Sequence, residues 1–251
     1  MKRCLLRIFR RLPHAIVIIA GGTSNTVIKR TGCLVALVFW FSGSLMAQKQ
    51  IDDDTYIKTI TERAAKIANT LQLVDSTTYQ AVLRAMVKQY RAINSLHESE
   101  QAEISTIKNS LEDISLKNEQ IKQAKSRKQL NQDALHQDFI NALSQILTAR
   151  QIDMVKDGMT YNLLAVTYNA YVDMIPSLTV VEKEQLRSWL TEAREMAMDA
   201  ASSDAKHAVF GKYKGRINNY LSERGYNLQK EREAWQQRLQ AKSNNPKLEA
   251  Q

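Results

Sequence analysis

Beyond Gln48 the chain contains no cysteine, because its two, Cys4 and Cys33, both lie upstream. That excludes a disulfide framework, a cysteine-ligated zinc site and a thiol nucleophile from the working part of the protein. Proline is nearly as scarce there, with only Pro176 and Pro246, and glycine is limited to Gly158, Gly211, Gly215 and Gly225. With so few breakers among abundant Ala, Gln, Lys, Glu and Leu, long helices are predicted. Familiar enzyme signatures are missing as well: there is no Gly-x-Ser-x-Gly, no glycine-rich phosphate loop and no His-Glu-x-x-His. No catalytic residue, cofactor or metal is therefore assigned.

Acidic residues are absent from the stretch before Gln48, and this explains the formal net charge of +9. Seven basic residues lie in that stretch: Lys2, Arg3, Arg7, Arg10, Arg11, Lys29 and Arg30. Without them, 28 of the 35 basic side chains face 26 acidic ones, a net of +2. A nearly neutral chain lacks the electrostatic footprint of a nucleic-acid binder, so no nucleic-acid partner is expected.

No hydrophobic run is long enough to span a bilayer, which takes about 20 residues. The apolar run Cys33 to Phe41 follows Lys29-Arg30 and precedes Ser42-Gly43-Ser44, the order of a cleavable signal sequence ending near Ala47. Residues 1 to about 27, with their own apolar stretch Ala15 to Ala20, form an N-terminal extension of it. The expected organisation is a signal peptide over 1–47, a single helical domain over 48–240 and a disordered tail over 241–251. Such a product is periplasmic or secreted, with no permanent membrane anchor after cleavage.

Within the domain the expected fold class is all-α: a multi-helix bundle with long antiparallel helices and a short irregular segment containing glycine and tyrosine. Tyr56, Ile60, Ala64, Ile67 and Leu71 recur at helical spacing in a first helix. Asp75 or Ser76 caps a second, whose apolar face is Val82, Leu83, Met86, Val87, Tyr90 and Ile93. From Glu98 to Gln132 the chain is strongly polar, which fits a protruding helical hairpin or the continuation of one long helix. Its basic cluster Lys122, Lys125, Arg127 and Lys128 reads as a solvated face. Leu135, Phe139, Leu143 and Ile146 then mark a further amphipathic helix.

Thr148 with Gln151 and Thr179 with Glu182 have the spacing of capping boxes, and each is predicted to start a helix. The surrounding Leu-Thr-x-x-Gln pattern also resembles repeats of small helical periplasmic stress chaperones, which supplies a rival function. Between the two motifs, Gly158 is read as a break, followed by Tyr161, Tyr168 and Tyr171. Aromatic faces beside amides suit carbohydrate, because sugar C–H faces stack on rings while hydroxyls need directional partners. The alternative is that Tyr168 and Tyr171 pack into the core.

The stretch Ala193 to Tyr226 is the richest in chemistry. Ser202 or Ser203 caps a helix with Phe210, Tyr213, Ile217, Tyr220 and Leu221 as its buried stripe, and Gly211 and Gly215 are expected to admit another backbone. What the stripe leaves over is a polar set, Lys206, His207, Lys212, Lys214, Arg216, Asn218 and Asn219, with Arg194, Glu195 and Asp199 on the preceding helix; of these Lys212, Arg216 and Asn219 share one face and suit a carboxylate or sugar hydroxyls. Arg194, Asp199 and His207 join them as candidates, with Tyr161 and Tyr168, in a ligand-binding site. For these residues a solvated or packed surface remains the alternative. His97 and His136 show no metal-ligand spacing.

The run Val155 to Tyr161, the segment Met174 to Thr179, the stretch Trp189 to Asp199, and above all Lys206-His207 with Phe210 to Leu221, resemble the domain-of-unknown-function family numbered 3826. The resemblance covers most of residues 50 to 240. It implies an exported helical domain from Bacteroidota, associated with polysaccharide-utilisation genes and with sugar binding, and it supplies no catalytic residues. Three functions follow as expectations: a carbohydrate-binding or accessory protein with an oligosaccharide ligand, an uncharacterised carbohydrate-active enzyme, and a helical chaperone or structural partner of another protein.

Overall fold

A computed structural model describes residues 53–244. The leader, its cleavage near Ala47 and the chain beyond 244 lie outside the described residues. The described chain is all-α, with eight helices: α1 (53–70), α2 (Ser76–Asn109), α3 (Ile114–Ser144), α4 (Ala149–Met159), α5 (Leu163–Met174), α6 (Val180–Met198), α7 (Ser203–Glu223) and α8 (Leu228–Asn244). The last runs past the boundary expected at 240. Among the described residues no helix is long and apolar enough to cross a membrane.

The helix starts follow local chemistry. The Asp75 carboxylate accepts from the backbone N–H groups of Thr77 and Thr78 at the head of α2, and Ser202 accepts from Ala205 at the head of α7. Both predicted capping boxes are formed, Thr148 with Gln151 and Thr179 with Glu182. Each of these satisfies N–H groups that the first turn of a helix leaves without partners. At the other end of α7, Gly225 takes φ 92°, a left-handed conformation that ends the helix.

Two apolar clusters hold the helices together. The first gathers Ile67 of α1 and Leu71 just after it, Val82 and Met86 of α2, Phe139 and Leu143 of α3, and Val155 and Met159 of α4. The second gathers Tyr171 and Met174 of α5, Leu186 and Leu190 of α6, and Phe210, Ile217 and Leu221 of α7. Helix α6 belongs to both, since its last residue Met198 packs in the first cluster and the preceding turns in the second.

The polar segment resolves into a hairpin: α2 and α3 pack antiparallel, joined at 110–113, and the helix expected around Phe139 is the second half of α3. None of residues 98–132 belongs to either cluster, and Ala124 is the one buried residue among them. The two limbs are tied by an Arg127–Glu103 ion pair and by Lys117 Nζ donating to the Lys108 carbonyl at 3.1 Å. Leu111, Ile114 and Leu116 at the tip are exposed.

The glycines differ from the sequence reading. Gly211 and Gly215 face open space, with nothing within 4 Å of an added Cβ, because they lie on the outward side of α7 opposite Phe210, Tyr213 and Ile217. The close approach is at Gly158, which is helical rather than a break. A Cβ there would sit 2.8 Å from Ile67 Cγ1 and 3.0 Å from Cγ2. Those atoms branch directly from a buried, stiff side chain and cannot swing clear. Gly158→Ala is therefore expected to lower the unfolding free energy by about 1–3 kcal/mol, despite alanine's better helix propensity, as measured by denaturant unfolding. The chain instead breaks at Tyr161 and Asn162, both left-handed, with φ 58° and 55°. Asparagine tolerates that conformation; for Tyr161 it carries strain of about 1 kcal/mol or more.

Candidate functional site

Two features of the described chain carry chemistry: a buried ionic network where the two clusters meet, and an open groove between α5, α7 and α8. The network is centred on the C-terminal turns of α6. Arg194, whose side chain is 8% exposed, reaches α4 with both guanidinium ends: Nη1 donates to Asp157 at 2.9 Å and Nη2 to Asp153 at 2.7 Å. It also contacts Glu195 at 3.2 Å. The other Glu195 oxygen accepts from Lys156 Nζ at 2.8 Å and lies 3.6 Å from His136 Nε2. The opposite ring nitrogen of His136 meets the Asp199 carboxylate at 2.8 Å.

Asp199 caps α6 and gathers three further helices around it. Its carboxylate meets His136 of α3, and its backbone carbonyl accepts from His97 Nε2 of α2 at 3.0 Å. Lys206, in the first turn of α7, donates to the last carbonyls of α6, Ala197 at 2.8 Å and Met198 at 2.9 Å. A cation suits that position because the helix C-terminus is the negative end of its dipole.

These contacts set the charges. The Asp199 hydrogen bond, then the Glu195 carboxylate, push His136 up to about 9. Burial works against the Glu195 charge, but His136, Lys156 and Arg194 outweigh it and hold the carboxyl at about 2. Burial draws Lys206 down to about 8, partly offset by Asp199. The network thus sets four basic side chains (His136, Lys156, Arg194, Lys206) among four acidic ones (Asp153, Asp157, Glu195, Asp199). One loose end remains: Asp199 Oδ1 is buried with no hydrogen-bond partner. A network so nearly closed on itself fixes helices against one another and has little left to offer a ligand.

The groove is different. It has a volume of about 450 Å³ and is open to solvent between α5, α7 and α8. Trp235, half-buried against the second cluster, supplies its accessible ring, while Tyr171 also lines it but is packed in that cluster at 7% exposure. Burial pushes the Tyr171 phenol up to about 12, so it stays a donor, and it donates to Asn218 Oδ1 at 2.6 Å. That bond fixes the Asn218 amide and leaves its Nδ2 without a partner among the described residues. Thr167, Lys214 and Arg232 complete the polar lining. Helix α8 is held in place by Arg238, whose Nη2 donates to the Asp173 and Met174 carbonyls at the end of α5. A second depression, between α1 and α2, is lined by Arg84, Lys88 and Arg91 but contains no aromatic ring.

The residues singled out in the sequence are spread over several places. Arg194 and Asp199 are buried in the network, linked through Glu195 and His136. Tyr161 and His207 meet elsewhere on the surface, their rings stacked at 5.8 Å and 4° with Arg63 3.3 Å from the Tyr161 hydroxyl. Tyr168 is half-buried beneath the Arg187 guanidinium, 4.4 Å from its ring centre. Arg216 lies over Trp189 at 4.4 Å and 3.6 Å from Glu192, while Lys212 and Asn219 are exposed on the same outward side of α7. Sequence reasoning missed His97, His136 and Lys156 in the network and Arg232 and Trp235 in the groove, and it placed Lys214 and Asn218 in the polar set without choosing them as site residues. Of these, Arg232 and Trp235, three apart on a polar helix, gave a readable signal.

Residues 57–241 match the family described as "Protein of unknown function (DUF3826)". The chain belongs to this family. The DUF3826 match begins in α1 and ends in α8, so the network and the groove both lie within the span that defines the family. No curated protein matches the chain.

Proposed function

We propose that this member of DUF3826 is an exported, periplasmic saccharide-binding protein that serves polysaccharide utilisation, and that the α5–α7–α8 groove is its binding site. The observation that carries the proposal is the pairing of one accessible, anchored aromatic ring, Trp235, with an amide, Asn218, that the buried Tyr171 hydroxyl holds in place, in an open groove. Saccharides need that combination: ring faces against which axial C–H groups pack, and fixed donors for hydroxyls. The absence of a carboxylate from the groove's lining favours binding over glycosidic cleavage, which ordinarily uses two.

Trp235 is half-buried on the rim, so Trp235→Ala removes a stacking surface without opening the central core. The expected result by isothermal titration with an oligosaccharide ligand is a loss of about 2 kcal/mol, roughly thirtyfold in affinity, with the helical circular dichroism unchanged. An unaltered affinity in that variant sinks the assignment of the groove. A role as a protein partner is favoured by a separate observation, the exposed Leu111, Ile114 and Leu116 at the hairpin tip. That reading predicts that changing those three residues to serine abolishes a protein complex while leaving saccharide affinity intact.

A further inference from the structure

We infer that the saccharide taken by the groove is anionic, carrying a carboxylate or sulfate that Lys214 and Arg232 hold from opposite walls. This rests on the reading of the groove as a saccharide site and adds the ligand's charge to it. Lys214 stands on α7 and Arg232 on α8, and both line the groove. Neither makes an ion pair among the described residues, whereas Arg63, Arg187, Arg194, Arg216 and Arg224 each engage a ring or a polar group. No Asp or Glu lines the groove at all. In a chain with 28 basic and 26 acidic residues beyond Gln48, two unpaired cations with no acid between them are a local segregation of charge.

The neighbouring groups support the same polarity. Tyr171 stays protonated and donates its proton to Asn218 Oδ1, so the group this amide has left to offer is its Nδ2 donor. The groove therefore presents an ammonium, a guanidinium, an amide N–H and the Thr167 hydroxyl, with no charged acceptor. Arginine's planar fork matches a carboxylate or sulfate edge, while lysine adds a point charge. The ring face of Trp235 then holds the sugar ring that carries the anionic group.

The test compares tri-galacturonic acid, a sulfated galacto-oligosaccharide and neutral galactotriose by titration calorimetry, using the wild-type protein and the Lys214→Gln/Arg232→Gln double variant. Both substituted side chains are exposed, so the fold is retained. At least one anionic trisaccharide is expected to bind tenfold or more tighter than galactotriose at low salt. The advantage should shrink at 0.5 M salt, where charges are screened within about 4 Å, and vanish in the double variant. Which anionic probe binds tells carboxylate from sulfate. Equal affinity for galactotriose, a preference that survives the double substitution, or equally tight binding of hexaglutamate overturns the inference. In the first two cases saccharide binding itself still stands; if no saccharide binds, both readings fall together.

Discussion

His136→Ala is expected to destabilise the protein by about 3–5 kcal/mol, the range for removing one partner of a buried ion pair. The Asp199 side chain is 7% exposed and His136 Nδ1 is its one hydrogen-bond partner, since Oδ1 has none. Without the imidazole, the carboxylate must stay charged and unsolvated or take up a proton. His136→Leu combined with Asp199→Leu should regain much of the loss, because an apolar pair of similar size avoids the desolvation cost. The pH dependence has a definite sign. His136 is raised from 6.5 to about 9 in the folded protein, so its contribution is fully present below pH 6.5 and fades as pH rises through 9. Glu195, lowered from 4.5 to about 2, contributes above pH 4.5 and loses this as pH falls through 2. Urea unfolding should therefore show maximal stability between these limits and a decline from pH 6.5 to 8 that His136→Ala lacks. Lys206 acts oppositely, but only above its folded value of about 8.

Arg194→Ala is expected to cost about 3 kcal/mol in the same assay, for a related reason. Its guanidinium joins Asp153 and Asp157, one turn apart on α4, to Glu195 on α6, and so ties the first cluster's last helix to the second cluster's central one. Asp153 is 57% exposed and can return to water, which holds the cost below that of His136→Ala. Arg194→Lys should recover less than half, since one ammonium cannot span both aspartates as the planar fork does. Because Glu195 connects the two sites, the Arg194→Ala/His136→Ala double variant should depart from additivity, with a coupling of about 0.5 kcal/mol or more.

What was legible in the sequence is what neighbours in the chain decide. Asp75, Thr148, Thr179 and Ser202 announce helix starts because a cap and the N–H it serves are two or three residues apart. The buried stripe of α7 was legible for the same reason, Phe210, Tyr213, Ile217 and Leu221 following the helical repeat. The network was not, because its partners lie far apart: His97 is 102 residues from Asp199 and His136 is 63 away. Arg194 and Asp199 stood out as polar residues among apolar ones, but whether such residues face a ligand or one another depends on helix packing. Gly158 likewise read as a break because the neighbour that requires it, Ile67, is on another helix. In the groove, Tyr171 follows the core-packing alternative at 7% exposure, and Arg232 and Trp235 stand three apart in a helix whose pattern is otherwise almost wholly polar.

A thermal-shift screen of the purified protein against neutral, uronate and sulfated oligosaccharides, followed by chromatography of the sugars, tests the central claim most directly. A ligand present at a hundred times its dissociation constant should stabilise the native state by about 2.7 kcal/mol. The account predicts such a shift with at least one oligosaccharide, recovery of that sugar intact, and loss of the shift in Trp235→Ala. No shift across the panel, or one that Trp235→Ala leaves unchanged, contradicts it, and new products in the chromatogram would make the protein an enzyme instead.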